Sequence, residues 1–263
     1  MVAAVGDSSL DLYVAAFRSR CVAYRRPGSP EVDEPGVQGL LSGPEDPLAR
    51  LLVTDDRAYQ VLEALLPRVE TGMITAFASA ARCANLIADQ QTWRITTPMA
   101  MVCRDLRIVP LLPVPDDLTL RPVRRRADDD PGGVSLEEAA AAAMRAGPGI
   151  VGGLDAFTDY LRSLPPAFQL MAAVDATGDV RATAGSGAFG IHASVIFVDT
   201  DPAWRCRGIG SAMTSAALRA ARDGGATRAC LDASDAGMRI YLRLGFEQVG
   251  PVTRFYRPIP LPR

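Results

Sequence analysis

Apolar and polar residues follow a regular pattern from residue 115 onward. LTLRPVR (118–124) alternates as a strand with one buried face does. After the polar loop RADDDPGG, SLEEAAAAAMRA (135–146) opens with a helix-start signal, Ser135 with Glu138 three residues on. GLDAFTDYLRSL (153–164) predicts a second helix that stops before Pro165-Pro166. FQLMAAVD (168–175), the turn ATGD and VRATAGSGAFG (180–190) predict a β-hairpin, with ASVIFV (193–198) as a third strand beside it. Ile209, Met213, Ala217 and Ala220 then share one face of a helix that ends at Gly224-Gly225. TRACLDAS (227–234) is a strand, DAGMRIYLRL (235–244) a helix, and GFEQVG with TRFYRP a closing pair of strands.

The first 114 residues are less regular. Residues 10–26 predict a helix, and 27–47, rich in Pro, Gly and acids, a mobile loop. Strands are expected at 49–55, 72–79 and 96–106, with helices at 56–69 and 80–89. MITAFASAARCANLI (73–87) can be laid on RACLDASDAGMRIYL (228–242), Ser79 opposite Ser234 and Leu86 opposite Tyr241. As an internal repeat, its first copy is about nine residues shorter between its strands and lacks a Gly-x-Gly loop.

The chain has 263 residues, enough for one large domain or two small ones. A net charge of −2 gives no electrostatic case for nucleic acid as a partner. No apolar run approaches membrane-spanning length. The start MVAAVGDSSLDLY lacks the features of a signal peptide, so the cytoplasm is the expected compartment. Five scattered cysteines and the single His192 fit reduced thiols and no metal site. Every basic side chain is arginine, which excludes a Walker A lysine and lysine Schiff-base chemistry. The heavy use of Ala, Arg, Gly and Pro suggests a GC-rich, bacterial genome.

The candidate chemistry lies in PAWRCRGIGSAM (202–213), where a strand enters a helix. Free N–H groups of a first helical turn and the positive end of its dipole form a site for phosphate. Gly208 and Gly210 let the backbone approach the oxygens, and Arg205 and Arg207 can add charge-assisted contacts. Read structurally, the same residues make only a tight turn with solvated arginines. A Rossmann nucleotide turn is the nearest rival, with Asp232 at a suitable distance. Met213 stands where its third small residue belongs, and too little chain follows for its remaining strands.

VDTDPAWRCRGIGSAM resembles the acyl-CoA loop of the Gcn5-related N-acetyltransferase (GNAT) family, Arg/Gln-x-x-Gly-x-Gly/Ala, through Arg205, Gly208 and Gly210. SDAGMRIYLRLGFEQVG is similar to the family's second signature through Tyr241, Gly245 and Phe246, and LTLRPVR looks like its first strand. The resemblance spans roughly 116–258. It implies an α/β (α+β) fold: a mixed, mostly antiparallel sheet flanked by helices in 115–263. A smaller, degenerate lobe of related topology would occupy 1–114, supplying part of the acceptor cleft or a homodimer surface.

It also implies acetyl-CoA as donor, without a metal, and a small-molecule or protein amine as acceptor. Ile196, Phe197 and Val198, running on to Asp199, would pair with the pantetheine arm. Arg205, Cys206, Arg207, Gly208, Ile209, Gly210 and Ser211 would hold the pyrophosphate, and Tyr241 would protonate the departing thiolate. Ser234 stands where the family often has asparagine, and the strand carries no glutamate to deprotonate the amine. His192, Asp159, Tyr160 or ordered water remain for that step. Asp199 and Asp201 are expected as turn and capping residues. The alternative reading is a non-catalytic acyl-CoA-binding or interaction protein.

Overall fold

The computed structural model describes residues 8–43, 46, 48–90, 92–125, 131–146 and 153–257. They form two compact units. The first comprises Met1–Val102, Asp232–Met238 and Glu247–Arg263; the second comprises Cys103–Leu231 and Arg239–Phe246.

The first unit starts with α1 (Ser9–Tyr24). Its Ser8 cap accepts from the Asp11 N–H at 3.1 Å. β1 (Glu31–Glu34) and β2 (Val37–Leu40) follow as an antiparallel hairpin where the sequence suggested a mobile loop. Gly36, at φ +82°, makes that turn possible, because a Cβ there would meet the Asp55 carbonyl oxygen at 2.9 Å. β3 (Ala49–Val53), α2 (Tyr59–Leu65), β4 (Gly72–Phe77), α3 (Ala81–Ala88), β5 (Arg94–Thr96) and β6 (Met99–Cys103) complete the order. Leu51, Val53, Leu62, Ile74 and Ile87 are fully buried and form the centre of its core.

The second unit holds β7 (Leu118–Arg124), β8 (Val134–Ser135), α4 (Leu136–Ala146), α5 (Gly153–Ser163), β9 (Phe168–Asp175), β10 (Val180–Phe189), β11 (His192–Thr200), α6 (Ile209–Asp223) and β12 (Arg228–Ala233). Ser135 and Glu138 form the expected capping box, with the Ser135 N–H donating to Glu138 Oε2 at 2.9 Å. The polar loop expected before it includes 126–130, outside the described residues. Strands run in the order β12-β11-β10-β9-β7-β8. Only β11 with β12 and β7 with β8 are parallel. The α6 side chains Ile209, Met213 and Ala217 bury against Leu118, Met171, Ala173 and Ala182. Removing Ile209 and Met213 from water is worth about 2 kcal/mol each.

α7 (Asp235–Arg243) follows β12, and the expected closing pair of strands is one long strand, β13 (Glu247–Arg257). Within the first unit β13 lies between β4 and β6, antiparallel to both. A register shift between Gln248 and Gly250, ahead of Pro251, explains why the sequence reads as two segments.

Both units repeat one topology. Three antiparallel strands (β1-β2-β3 and β9-β10-β11) are followed by a helical crossover to a parallel strand (β4, β12) and a further helix (α3, α7). The crossover spans eighteen residues in the first unit (54–71) and twenty-seven in the second (201–227).

Candidate active site

The two parallel strand pairs differ in one respect that creates a site. All five residues of β3 pair with β4, from Ala49 with Gly72 to Val53 with Ala76. β11 pairs with β12 only at His192, Ala193 and Ser194, then continues to Thr200 without that neighbour. Its backbone donors and acceptors beyond Ser194 are therefore exposed on that side to an extended ligand.

A β-bulge lies within this stretch. The pairing of β11 with β10 passes from Ile196 opposite Gly185 to Asp199 opposite Thr183, so Phe197 and Val198 share one partner position. Phe197 adopts φ +51°, a conformation that bulky residues avoid. Tertiary contacts hold it there. Its ring packs edge-on against Phe157 at 5.2 Å and Tyr160 at 6.0 Å, both on α5, and the Thr183 hydroxyl donates to its carbonyl at 3.3 Å.

Next comes the loop. Asp201 caps a short turn by accepting from the Ala203 N–H at 2.9 Å, as expected of it. Cys206, exposed, takes φ +62°, and Gly208 caps α6 at φ +80°. The first bond along α6 runs from the Ala212 N–H to the Gly208 carbonyl at 3.0 Å. The N–H groups of Ile209, Gly210 and Ser211 thus have no acceptor within the helix, and Gly208 supplies no side-chain cap. No acidic residue lies in this first turn. Open space surrounds the position of a Cβ on Gly208; one on Gly210 would meet only the flexible Cδ1 of Ile240, at 3.2 Å, and Thr200 Oγ1. These donors suit a phosphate group.

The two arginines are more constrained than the sequence suggested. Arg205 donates through Nε to the Thr200 carbonyl at 3.1 Å and through Nη2 to the Ala146 carbonyl at 2.5 Å, fastening the loop to the end of α4. Arg207 pairs with Asp117 at 2.7 Å and lies 4.7 Å over the Trp204 ring. The backbone, more than either guanidinium, is presented to a ligand.

Tyr241 is buried in α7, its ring edge-on to Phe246 at 5.9 Å. Among the described residues its hydroxyl has no hydrogen-bond partner, unlike a purely structural buried tyrosine. Burial and the nearby Asp199 carboxylate push its pKa up to about 12, so it keeps its proton at neutral pH. Ser234 accepts from the Gly237 N–H at 3.3 Å and so caps α7.

His192 begins β11, at the opposite end from the loop and seven residues before Asp199, roughly 20 Å along the strand. Burial and Arg228 pull its pKa down. Asp159 is exposed and paired with Arg162 at 2.5 Å. Asp199, expected as a turn residue, is instead a half-buried part of the strand, its pKa raised to about 6 by burial. The sequence signal for it was present as the first of two aspartates before the loop, but nothing local told a strand residue from a turn. Among the described residues, no group of three or more His, Cys, Asp or Glu could hold a metal ion, and no helix is long and apolar enough to cross a membrane.

No curated protein matches the chain. Solved structures do. A GCN5-related N-acetyltransferase from Kribbella flavida is 23% identical, with 94% of each chain covered and a TM-score of 0.60. Another from Sphaerobacter thermophilus is 17% identical, covering 95% of this chain and 94% of that one at a TM-score of 0.53. A tandem GNAT protein from the clavulanic acid biosynthesis pathway is 15% identical, covering 96% and 89% at 0.51. At these identities the likeness is one of fold, and it extends over both units. A family model described as the acetyltransferase (GNAT) family matches residues 139–246, the stretch that contains the bulge, the loop and Tyr241. Residues 139–246 are thus a domain of the acetyltransferase (GNAT) family.

Proposed function

We propose that the chain is an acyl-CoA-dependent N-acyltransferase that moves an acetyl group from acetyl-CoA to a primary amine by direct attack in a ternary complex. The observation that carries this reading is the parting of β11 from β12 after Ser194, leading into a helix terminus whose first-turn N–H groups are free. The backbone groups of Ile196 to Asp199, and not their side chains, would bind the pantetheine arm, and the N–H groups of Cys206 to Ser211 the pyrophosphate. The bulge at Phe197 and Val198 would present a backbone N–H to the thioester oxygen, where charge develops. Holding amine and thioester together supplies much of the acceleration. Tyr241, protonated at neutral pH, gives its proton to the leaving sulfur.

The first unit lacks both features of the donor site. β3 is closed against β4, and the start of the crossover that follows it is already capped by Asp55, which accepts from the Arg57 N–H at 3.0 Å, with Asp56 in the same turn. One donor molecule per chain follows from this. The second reading, a non-catalytic acyl-CoA-binding protein, draws on the absence of glutamate from β11. Thiol release from acetyl-CoA across a panel of primary amines separates them. Amine-dependent turnover supports the enzyme; binding without turnover supports the second reading.

A further inference from the structure

The placement of Asp199 bears on the one step for which no group has been assigned, removal of the proton from the acceptor ammonium. Asp199 follows the bulge directly, within the part of β11 that has left β12. It stands opposite Thr183, and facing residues of an antiparallel pair share a sheet face. Thr183 lines the face covered by α4 and α5, together with Ala139, Phe157 and Phe197. Asp199 is therefore on the side of the aromatic clamp, and Tyr241 is close enough to feel its charge.

Its carboxylate is also unpartnered. Among the described residues it makes no side-chain hydrogen bond or ion pair, although it is half-buried. Neighbouring aspartates are treated differently: Asp201 caps a turn, and Asp175 binds Thr177 at 2.6 Å and Arg181 at 2.7 Å. Arg205, the cation that acts on Asp199, spends its guanidinium on the carbonyls of Thr200 and Ala146. A half-buried carboxylate without a partner costs stability, and a site that binds an ammonium ion is where such a cost is recovered.

From this geometry we infer that Asp199 is the general base of the reaction, taking a proton from the acceptor ammonium before attack. The inference rests on the transferase reading. Asp199 takes one proton and the freed nitrogen lone pair attacks the thioester carbon. The C–N bond forms and the C–S bond breaks, its electron pair leaving with sulfur. Tyr241 gives its proton to sulfur, and its phenolate is restored by a second proton from the acylated nitrogen. The third proton stays on the amide, and Asp199 returns its own to solvent. The products are amide, thiol and one proton. Burial, opposed by Arg205, raises the Asp199 pKa to about 6, and Tyr241 is the titratable group that shares its surroundings. A base of this strength is ionised at pH 7 and still accepts protons usefully.

The test compares wild type with Asp199→Asn using acetyl-CoA and two acceptors of nearly equal size. Ethylamine is an ammonium ion at pH 7; 2,2,2-trifluoroethylamine is largely neutral and needs no base. The expected result is a loss of roughly 100-fold in kcat with ethylamine, a loss of a few-fold with the fluorinated amine, and unchanged acetyl-CoA affinity. With ethylamine, the acid limb of the wild-type kcat/KM profile should fall near pH 6. Equal losses with both amines, or none, overturn the assignment while leaving the transferase reading intact. A wild type that binds acetyl-CoA but acylates neither these two amines nor any other primary amine of the panel overturns both. Carbon-13 titration of the Asp199 carboxyl, assigned by its absence in Asp199→Asn, is independent of turnover; a midpoint in the ordinary carboxylate range also overturns the assignment.

Discussion

Gly208 and Gly210 should respond to substitution in opposite directions. At Gly208 the backbone is at φ +80° and a Cβ would have open space on every side, so Gly208→Ala introduces no clash. Its cost is the left-handed conformation alone, about 1–2 kcal/mol. For a chain of this size that lowers Tm by roughly 3–6 °C. Gly210 occupies the second position of α6 with ordinary helical backbone, and the neighbour at 3.2 Å is the movable end of Ile240. There Gly210→Ala recovers about 1 kcal/mol of helix propensity, less the cost of a small shift in Ile240. Thermal unfolding followed by circular dichroism, with and without saturating acetyl-CoA, measures both effects. Gly208→Ala should melt lower and show a smaller rise with ligand, because the relaxed loop no longer directs its N–H groups together. Gly210→Ala should melt at or above wild type. Equal losses in both variants, or a Gly208→Ala protein indistinguishable from wild type, would refute the argument that left-handed geometry at residue 208 builds the site.

Tyr241→Phe removes a hydroxyl without a protein partner, so Tm should be unchanged while kcat falls roughly 100-fold and acetyl-CoA affinity holds; a large fall in Tm would return the residue to a structural role. The Asp199 carboxyl, with a folded-state pKa raised to about 6, binds a proton more readily folded than unfolded, so stability should fall as pH rises from about 4 to 6 and stay lower above it. Asp199→Asn should abolish that dependence and stabilise the protein at pH 7 by roughly 2 kcal/mol in urea titrations, while it impairs turnover. In the first unit, Asp232 is bound by the Tyr13 hydroxyl at 2.5 Å and by Arg254, whose side chain is half-buried. Asp232→Asn should cost about 3 kcal/mol by stranding that cation, and Tyr13→Phe about 1 kcal/mol, both read from denaturant midpoints.

Much of the second unit was legible because its signals are local. The alternation of LTLRPVR, the Ser135–Glu138 box and the paired glycines at 224–225 each specify an element without reference to the rest of the chain. The loop was legible for the same reason, since Gly208 states its left-handed backbone requirement in its residue type. The hairpin at 31–40 was hidden by the prolines and acids around it, and depends on the approach of Gly36 to Asp55. Strand β13 was misread as two because its register shift is a property of its neighbours. Asp199 looked like a turn residue because nothing in the sequence of β11 announces where the strand leaves β12. Separation of two strands is a long-range property, and the site depends on it.

Acetyl-CoA binding at the α6 terminus is the claim on which the rest stands, and isothermal titration of wild type beside Gly210→Glu tests it most directly, with NADH as control. A glutamate in the first turn of a helix favours folding, so the variant should stay folded while placing a carboxylate in the phosphate cradle. The account predicts one equivalent of acetyl-CoA bound per wild-type chain, no binding by the variant, and no NADH binding by either. A folded wild type that does not bind acetyl-CoA, or a variant that binds it equally well, would contradict the account.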